Sequence, residues 1–143
     1  MSKTVQVRVT HLYKAPPENI FDAFLDEKRA GKFMFATPTG DMVRVEIDPR
    51  PGGRFLFTDR RPGEGDVDHV GTFLELDRPR RLVFEFLVPK YSQEISVVTL
   101  DFAAAGGGCE ATLTHDGVLE AWAEQTRGGW TMILGNLEAA VSA

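Results

Sequence analysis

Three histidines, His11, His69 and His115, are the side chains of this chain most able to move a proton near neutral pH. They are widely separated, and none stands in an HxH or HExxH spacing. Cys109 is the only cysteine, so there is no CxxC pair to join them. A metal centre of clustered nitrogen and sulfur ligands therefore has no local signature, and neither a metal nor a cofactor is expected. The lone cysteine also excludes an intramolecular disulfide. Ser92 and Ser96 lack the G-x-S-x-G elbow that presents a nucleophilic hydroxyl. Gly106-Gly107-Gly108 is too short to cradle a phosphate and reads as a turn between strands. Catalytic residues stay unassigned. The chemistry left open is general acid–base work by His69 or His115, if the fold encloses them.

What could enclose them follows from hydrophobic spacing. Val5, Val7 and Val9 alternate with polar residues, which predicts a half-buried strand to about Tyr13, with His11 on the inward face. Pro16-Pro17 opens a helix whose apolar stripe is Ile20, Phe21 and Phe24. Asp26 is placed to cap a second short helix with Ala30, Phe33 and Met34 on its buried side. Phe35 to Asp41, with Pro38 and Gly40, reads as a loop. Six strands are then predicted over Val43–Ile47, Arg54–Thr58, Val67–Leu76, Leu82–Phe86, Ile95–Phe102 and Cys109–His115, separated by turns rich in glycine and proline. A long helix closes the chain from about Leu119 to Val141, with Thr126, Trp130, Ile133, Leu137 and Val141 along one stripe. Gly128-Gly129 inside it is either a ragged helix start or a place where the helix lies close to the sheet.

Strands joined by short turns make an antiparallel sheet, and its apolar face must be covered. One helix can do this if the sheet curls around it, and a curled sheet with one helix leaves an internal cavity. All of this fits a single domain over residues 1–143. With 43% hydrophobic and 26% charged residues the chain has the composition of a globular protein, so disorder is not expected. A net charge of −5 disfavours nucleic acid and anionic membrane surfaces. The basic runs Arg60-Arg61 and Arg78-Pro79-Arg80-Arg81 read as solvated loop charges. No stretch is long and apolar enough for a membrane span, and the N-terminus lacks the apolar run of a signal peptide, which points to the cytoplasm.

Several segments, taken in order, carry a family resemblance. Tyr13-Lys14-Ala15-Pro16-Pro17 leading to Ile20-Phe21-Asp22-Ala23-Phe24 is one. Pro51-Gly52-Gly53-Arg54-Phe55 and the run from Gly71-Thr72-Phe73 to Leu82-Val83-Phe84 are two more. Thr112-Leu113-Thr114-His115, followed by Gly129-Trp130, completes the set. Together they resemble the activator of Hsp90 ATPase homologue 1-like (AHSA1-like) branch of the SRPBCC superfamily. The resemblance implies an α+β helix-grip fold, START-like and Bet v 1-like. A curved antiparallel sheet of about seven strands would wrap a long C-terminal helix, with a cavity between them. It also implies antiparallel pairing of the first and last strands, which sets His11 and His115 apart on that ladder. The superfamily includes lipid carriers, hormone receptors, aromatic-ring cyclases and an Hsp90 co-chaperone domain, and it shares no catalytic motif.

Strand parity then names the expected lining of the cavity: Phe55, Phe57, His69, Phe73 and Phe84 from the first half of the sheet, Val98, Leu100, Leu113 and His115 from the second, and Trp130 and Ile133 from the helix. His69, His115 and Tyr91 would be its polar anchors. Aromatic walls with a few polar groups are the usual form of a small-molecule site, so an apolar or aromatic ligand is the expected partner. A cavity enzyme of the polyketide cyclase or small hydrolase type and a chaperone-interacting protein are the other readings. Homodimerisation is left open.

Overall fold

A computed structural model describes residues 3–37 and 39–142. Pro38, expected in the loop after the second helix, lies outside the described residues, as do Met1, Ser2 and Ala143. Strand β1 (Thr4–Tyr13) leads into helices α1 (Pro17–Leu25) and α2 (Glu27–Phe33). Strands β2 (Asp41–Ile47), β3 (Arg54–Arg61), β4 (Gly65–Asp77), β5 (Arg81–Leu87), β6 (Ser96–Ala105) and β7 (Gly108–Leu119) follow. A 3-10 turn (Glu120–Trp122) then passes to helix α3 (Ala123–Ser142). All seven strands form one antiparallel sheet in the order β1-β7-β6-β5-β4-β3-β2. The expected α+β arrangement of sheet and long C-terminal helix is therefore present. Helix α3 packs on β1 and β7 on one side and on α1 and α2 on the other.

Local chemistry accounts for most boundaries. Pro17 occupies the first turn of α1, where its missing N–H costs nothing. Asp26 caps α2 by accepting from the Lys28 amide at 3.0 Å. On α3 the stripe runs as its period predicts. Trp130, Ile133 and Leu137 are buried and join Leu134 in the core, while Thr126 and Val141 are half-buried.

Three expectations need correction. Strand β7 runs four residues past His115, so α3 begins at Ala123 rather than Leu119. In β2 the register shifts between Met42 and Arg44. That shift turns Met42, Val45 and Ile47 inward and leaves Val43 exposed, because one extra residue reverses the parity of everything before it. Finally, Gly128-Gly129 is neither a ragged start nor a close approach. Both lie within regular helix, and a Cβ at either meets no atom within 4 Å.

Gly71 is the opposite case. A Cβ there would stand 2.3 Å from the Phe55 ring and 2.1 Å from the Glu85 carbonyl oxygen. The backbone oxygen cannot rotate away, so Gly71→Ala is expected to cost about 3 kcal/mol, the upper end of overpacking. Gly128→Ala, with open space and an exposed helical site, is expected to gain up to about 1 kcal/mol. Urea denaturation of the two variants should move the midpoint in opposite directions; equal midpoints would contradict the close contact at Gly71.

Candidate functional site

The interior divides into two compartments. At one end α1 and α2 insert Phe21, Phe24 and Phe33 against the sheet, where edge-on ring contacts at 5.3–6.0 Å fill the space. Only about 10 Å³ stays open there, beside Phe55, Phe57, Phe73 and Phe84. At the other end the first half of α3 stands off the sheet and leaves a cavity of about 350 Å³. His69 on β4, Phe86 on β5, Ser96 on β6 and His115 on β7 line its sheet side. Gly129, Trp130 and Ile133 line its helix side, and Phe35 reaches in from the loop after α2.

Of the side chains expected to line a cavity, His69, His115, Trp130 and Ile133 border this one. Phe55, Phe57, Phe73 and Phe84 point inward as their parity requires but pack around the small gap, because α1 and α2 cover that half of the sheet. Val98, Leu100 and Leu113 are fully buried core residues and line neither space. Tyr91 stands at the cavity rim, largely exposed, and its hydroxyl donates to Glu64. His11 lies outside, its ring tilted 39° against that of Tyr13 at 4.4 Å, with Glu138 3.9 Å away. It pairs with Ala111 on β7, whereas His115 pairs with Val7, so the two histidines do not share a site.

His115 sits in a directed chain of hydrogen bonds. The Trp130 indole can only donate, and it donates to Nδ1 of His115 at 3.0 Å. Burial holds the imidazole neutral, with its pKa pushed down to about 4. A neutral ring that accepts at Nδ1 carries its proton on Nε2, which therefore donates to Ser96 Oγ at 2.6 Å. Ser96 Oγ in turn donates to the Phe86 carbonyl at 3.2 Å. Ser96 and His115 form a pair that no sequence motif announced. Its polarity is the reverse of a base drawing a proton from serine, because the histidine gives its proton and the serine proton points at a carbonyl.

The second polar group is one the sequence placed elsewhere. Arg61, expected as a solvated loop charge, is mostly covered; Arg60 beside it is exposed. Asp59, Arg61 and the inward phenylalanines Phe55 and Phe57 share one parity on β3, so alternation carried past Thr58 is the signal that finds them. The Asp59 side chain is fully buried, and its Oδ2 accepts from Arg61 Nε at 2.9 Å and from Thr37 Oγ1 at 2.8 Å. Burial is the strongest single influence on Arg61 and works against its charge, but the hydrogen bond and charge of Asp59 together with Tyr91 more than offset it, so the pKa is raised and the guanidinium stays protonated. Its Nη2 faces His69 Nε2 at 3.5 Å. His69 donates from Nδ1 to the Phe57 carbonyl at 3.3 Å, which leaves Nε2 as an acceptor. Burial first, and the Arg61 charge second, push the His69 pKa down to about 4.

Phe35 completes the wall. Its ring stacks on His69 at 4.5 Å and on Phe86 at 4.9 Å, with interplanar angles of 14° and 9°. It does so at φ +60°, a backbone region uncommon for a bulky residue and sustained here by the stacking. Nothing in the local sequence signals it. Cys109 is buried away from the cavity, and burial pushes its thiol up to about 11. Among the described residues no group of three His, Cys, Asp or Glu is placed to hold a metal, and no helix is long and apolar enough to cross a membrane.

The activator of Hsp90 ATPase homolog 1-like family model matches residues 14–142. The chain belongs to that family. No curated protein matches the sequence. Solved structures extend the likeness over the whole fold. A protein from Chromobacterium violaceum aligns with a TM-score of 0.87 at 24% identity, covering 96% of this chain and 97% of the other. An AHSA1-like protein from Aeromonas hydrophila aligns at 0.80 and 23% identity, covering 96% and 92%. A putative uncharacterized protein from Rhizobium leguminosarum aligns at 0.85 and 18% identity, covering 99% and 96%. At these identities the AHSA1-like match establishes the helix-grip fold, while the cavity's chemistry belongs to this chain's own residues.

Proposed function

We propose that this AHSA1-like domain is a small-molecule binding protein that holds a ligand with a flat, apolar body in the cavity beneath the start of α3. The observation that carries the reading is the cavity of about 350 Å³ walled by Phe35, Phe86 and Trp130. That size and an aromatic lining with few polar groups are typical of small-molecule sites. The cavity-enzyme reading has less support, since Ser96 accepts a hydrogen bond from His115 instead of donating one to it. The single buried cysteine and net charge of −5 fit a cytoplasmic domain that does not engage nucleic acid.

Native mass spectrometry of freshly purified protein, with extraction of any bound compound, tests the reading directly. So does titration with neutral 2-naphthol, read by quenching of tryptophan fluorescence and by a rise in Tm. Gly129 lines the cavity with open space at its Cβ position. Gly129→Leu is therefore expected to fill the cavity and abolish naphthol binding. Stability should hold or rise by up to about 1 kcal/mol, because glycine is a poor helix former. Undiminished binding by Gly129→Leu would put the ligand elsewhere. Absence of both a co-purifying compound and any response to a panel of neutral aromatics would refute the binding role.

A further inference from the structure

We infer that the ligand carries one carboxylate, which the outer end of the Arg61 guanidinium reads while the flat body lies against Phe35 and Phe86. This rests on the binding role proposed above and adds the chemical class of what is bound.

Arg61 is held like a cation with work left to do. Asp59 takes only its Nε, through one oxygen at 2.9 Å. By contrast Arg78, on the surface, gives both Nε and Nη2 to Asp22 at 2.7 and 2.8 Å, so that its side fork is saturated by a carboxylate. At Arg61 the two terminal nitrogens meet only neutral acceptors, and at long range. Nη1 reaches the Tyr91 hydroxyl at 3.4 Å and Nη2 reaches His69 at 3.5 Å. Both are well beyond the preferred length for such bonds. A guanidinium has five N–H donors, and its planar terminal edge matches the two oxygens of a carboxylate. The Asp59 carboxylate lies behind Nε, at 0% side-chain exposure, and the side chain of Arg61 lines the cavity in front. The pair thus fixes the guanidinium in place and leaves its terminal edge for a guest.

The rest of the cavity sets the number of charges and the shape. His69 and His115 are buried and neutral, so Arg61 is the one cation among the described residues that line the cavity. Glu94 at the exposed rim has the ligand's own sign, and Glu64 is hydrogen-bonded to Tyr91 next to it. A second acid group would meet these carboxylates rather than a partner. The arginine adjoins the His69–Phe35–Phe86 stack, so an acid held at Arg61 brings its body against aromatic faces. A compact aromatic monocarboxylic acid satisfies all of these contacts.

The test compares 2-naphthoic acid with its neutral methyl ester on the full chain at pH 7.5, by calorimetry and tryptophan fluorescence. The acid should bind about tenfold or more tighter than the ester, the range of a charge-assisted hydrogen bond in a covered site. Arg61→Gln should erase that preference and leave ester affinity within about twofold, since the wall that holds the ring is intact. Because Arg61→Gln strands a buried carboxylate, the double variant Asp59→Asn/Arg61→Gln provides the same comparison with neither charge present. Equal affinity for acid and ester in the unmodified protein overturns the carboxylate assignment while sparing the binding role. A preference that persists in the double variant also overturns it. Failure of both compounds to bind overturns this inference, and it sinks the binding role as well when no compound co-purifies and the neutral panel is also silent.

Discussion

Trp130→Ala is expected to cost about 3–5 kcal/mol, the usual range for truncating a buried tryptophan. The indole is only 3% exposed and lies 5.7 Å from the Phe35 ring, 6.2 Å from Phe86 and 5.8 Å from His115, centre to centre. It closes the cavity from the helix side and is also the group that fixes the His115 tautomer. Removing it enlarges the cavity and leaves Nδ1 of His115 without its donor. Domains of this size have total stabilities of about 5–15 kcal/mol, so the variant should unfold at a much lower urea concentration. Trp130→Phe separates the two contributions. It keeps most of the ring packing and should lose about 1–3 kcal/mol, the cost of a buried acceptor left unpaired. A Trp130→Ala midpoint equal to that of the parent would contradict the packing described for α3.

The second large effect is acid destabilisation. His69 and His115 are both 5% exposed, and burial holds each at a pKa of about 4 in the folded chain. In the unfolded chain a histidine titrates near 6.5. Above that value both states are neutral and the histidines add no pH dependence. Between about 6.5 and 4 the unfolded chain binds protons that the folded chain refuses, so stability falls as pH falls. Below about 4 both states are charged and this contribution levels off. The gap corresponds to roughly 3 kcal/mol for each histidine, or about 7 kcal/mol together, comparable to the whole stability of a small domain. Urea midpoints at pH 7.5, 6.5, 5.5 and 4.5 should drop steeply across the series, and His69→Gln and His115→Gln should each flatten part of the slope. The exposed pairs of Asp22 with Arg78 and Asp66 with Arg60 hold their carboxylates below the ordinary range, so their effect falls at lower pH and does not mimic this one. A midpoint constant from pH 7.5 to 4.5 would show that the two imidazoles are not held neutral by burial.

The two effects bear on the same cavity. Protonating His115 removes the acceptor that Trp130 needs, and protonating His69 sets a second cation beside Arg61. The residues that line the cavity are therefore also among those that limit stability in acid.

Most of the architecture was legible in the residues alone. Alternation named the strands and, apart from Val43 at the register shift of β2, their inward faces; glycine and proline marked the turns, and a 3.6-residue stripe placed Trp130, Ile133 and Leu137 on the buried side of the last helix. These are local properties, set by backbone geometry and by which side chains avoid water, and they do not depend on what lies across the molecule. Parity also brought His69 and His115 correctly to the interior. It could not say which half of the interior each inward residue meets. That was decided by α1 and α2, which fill one end of the sheet with aromatic rings and leave the other end open. Likewise, only pairing across the β6–β7 hairpin sets Ser96 against His115, and only the path of the loop after α2 lays Phe35 over His69 and Phe86. Arg61 lies between the two cases. Its inward parity was present in the sequence, but its role depends on the buried Asp59 that neutralises it. The sequence by itself determined the elements and their faces, because those follow from periodicity. The tertiary structure decided the cavity, because an empty volume is what remains after elements distant in the chain have packed.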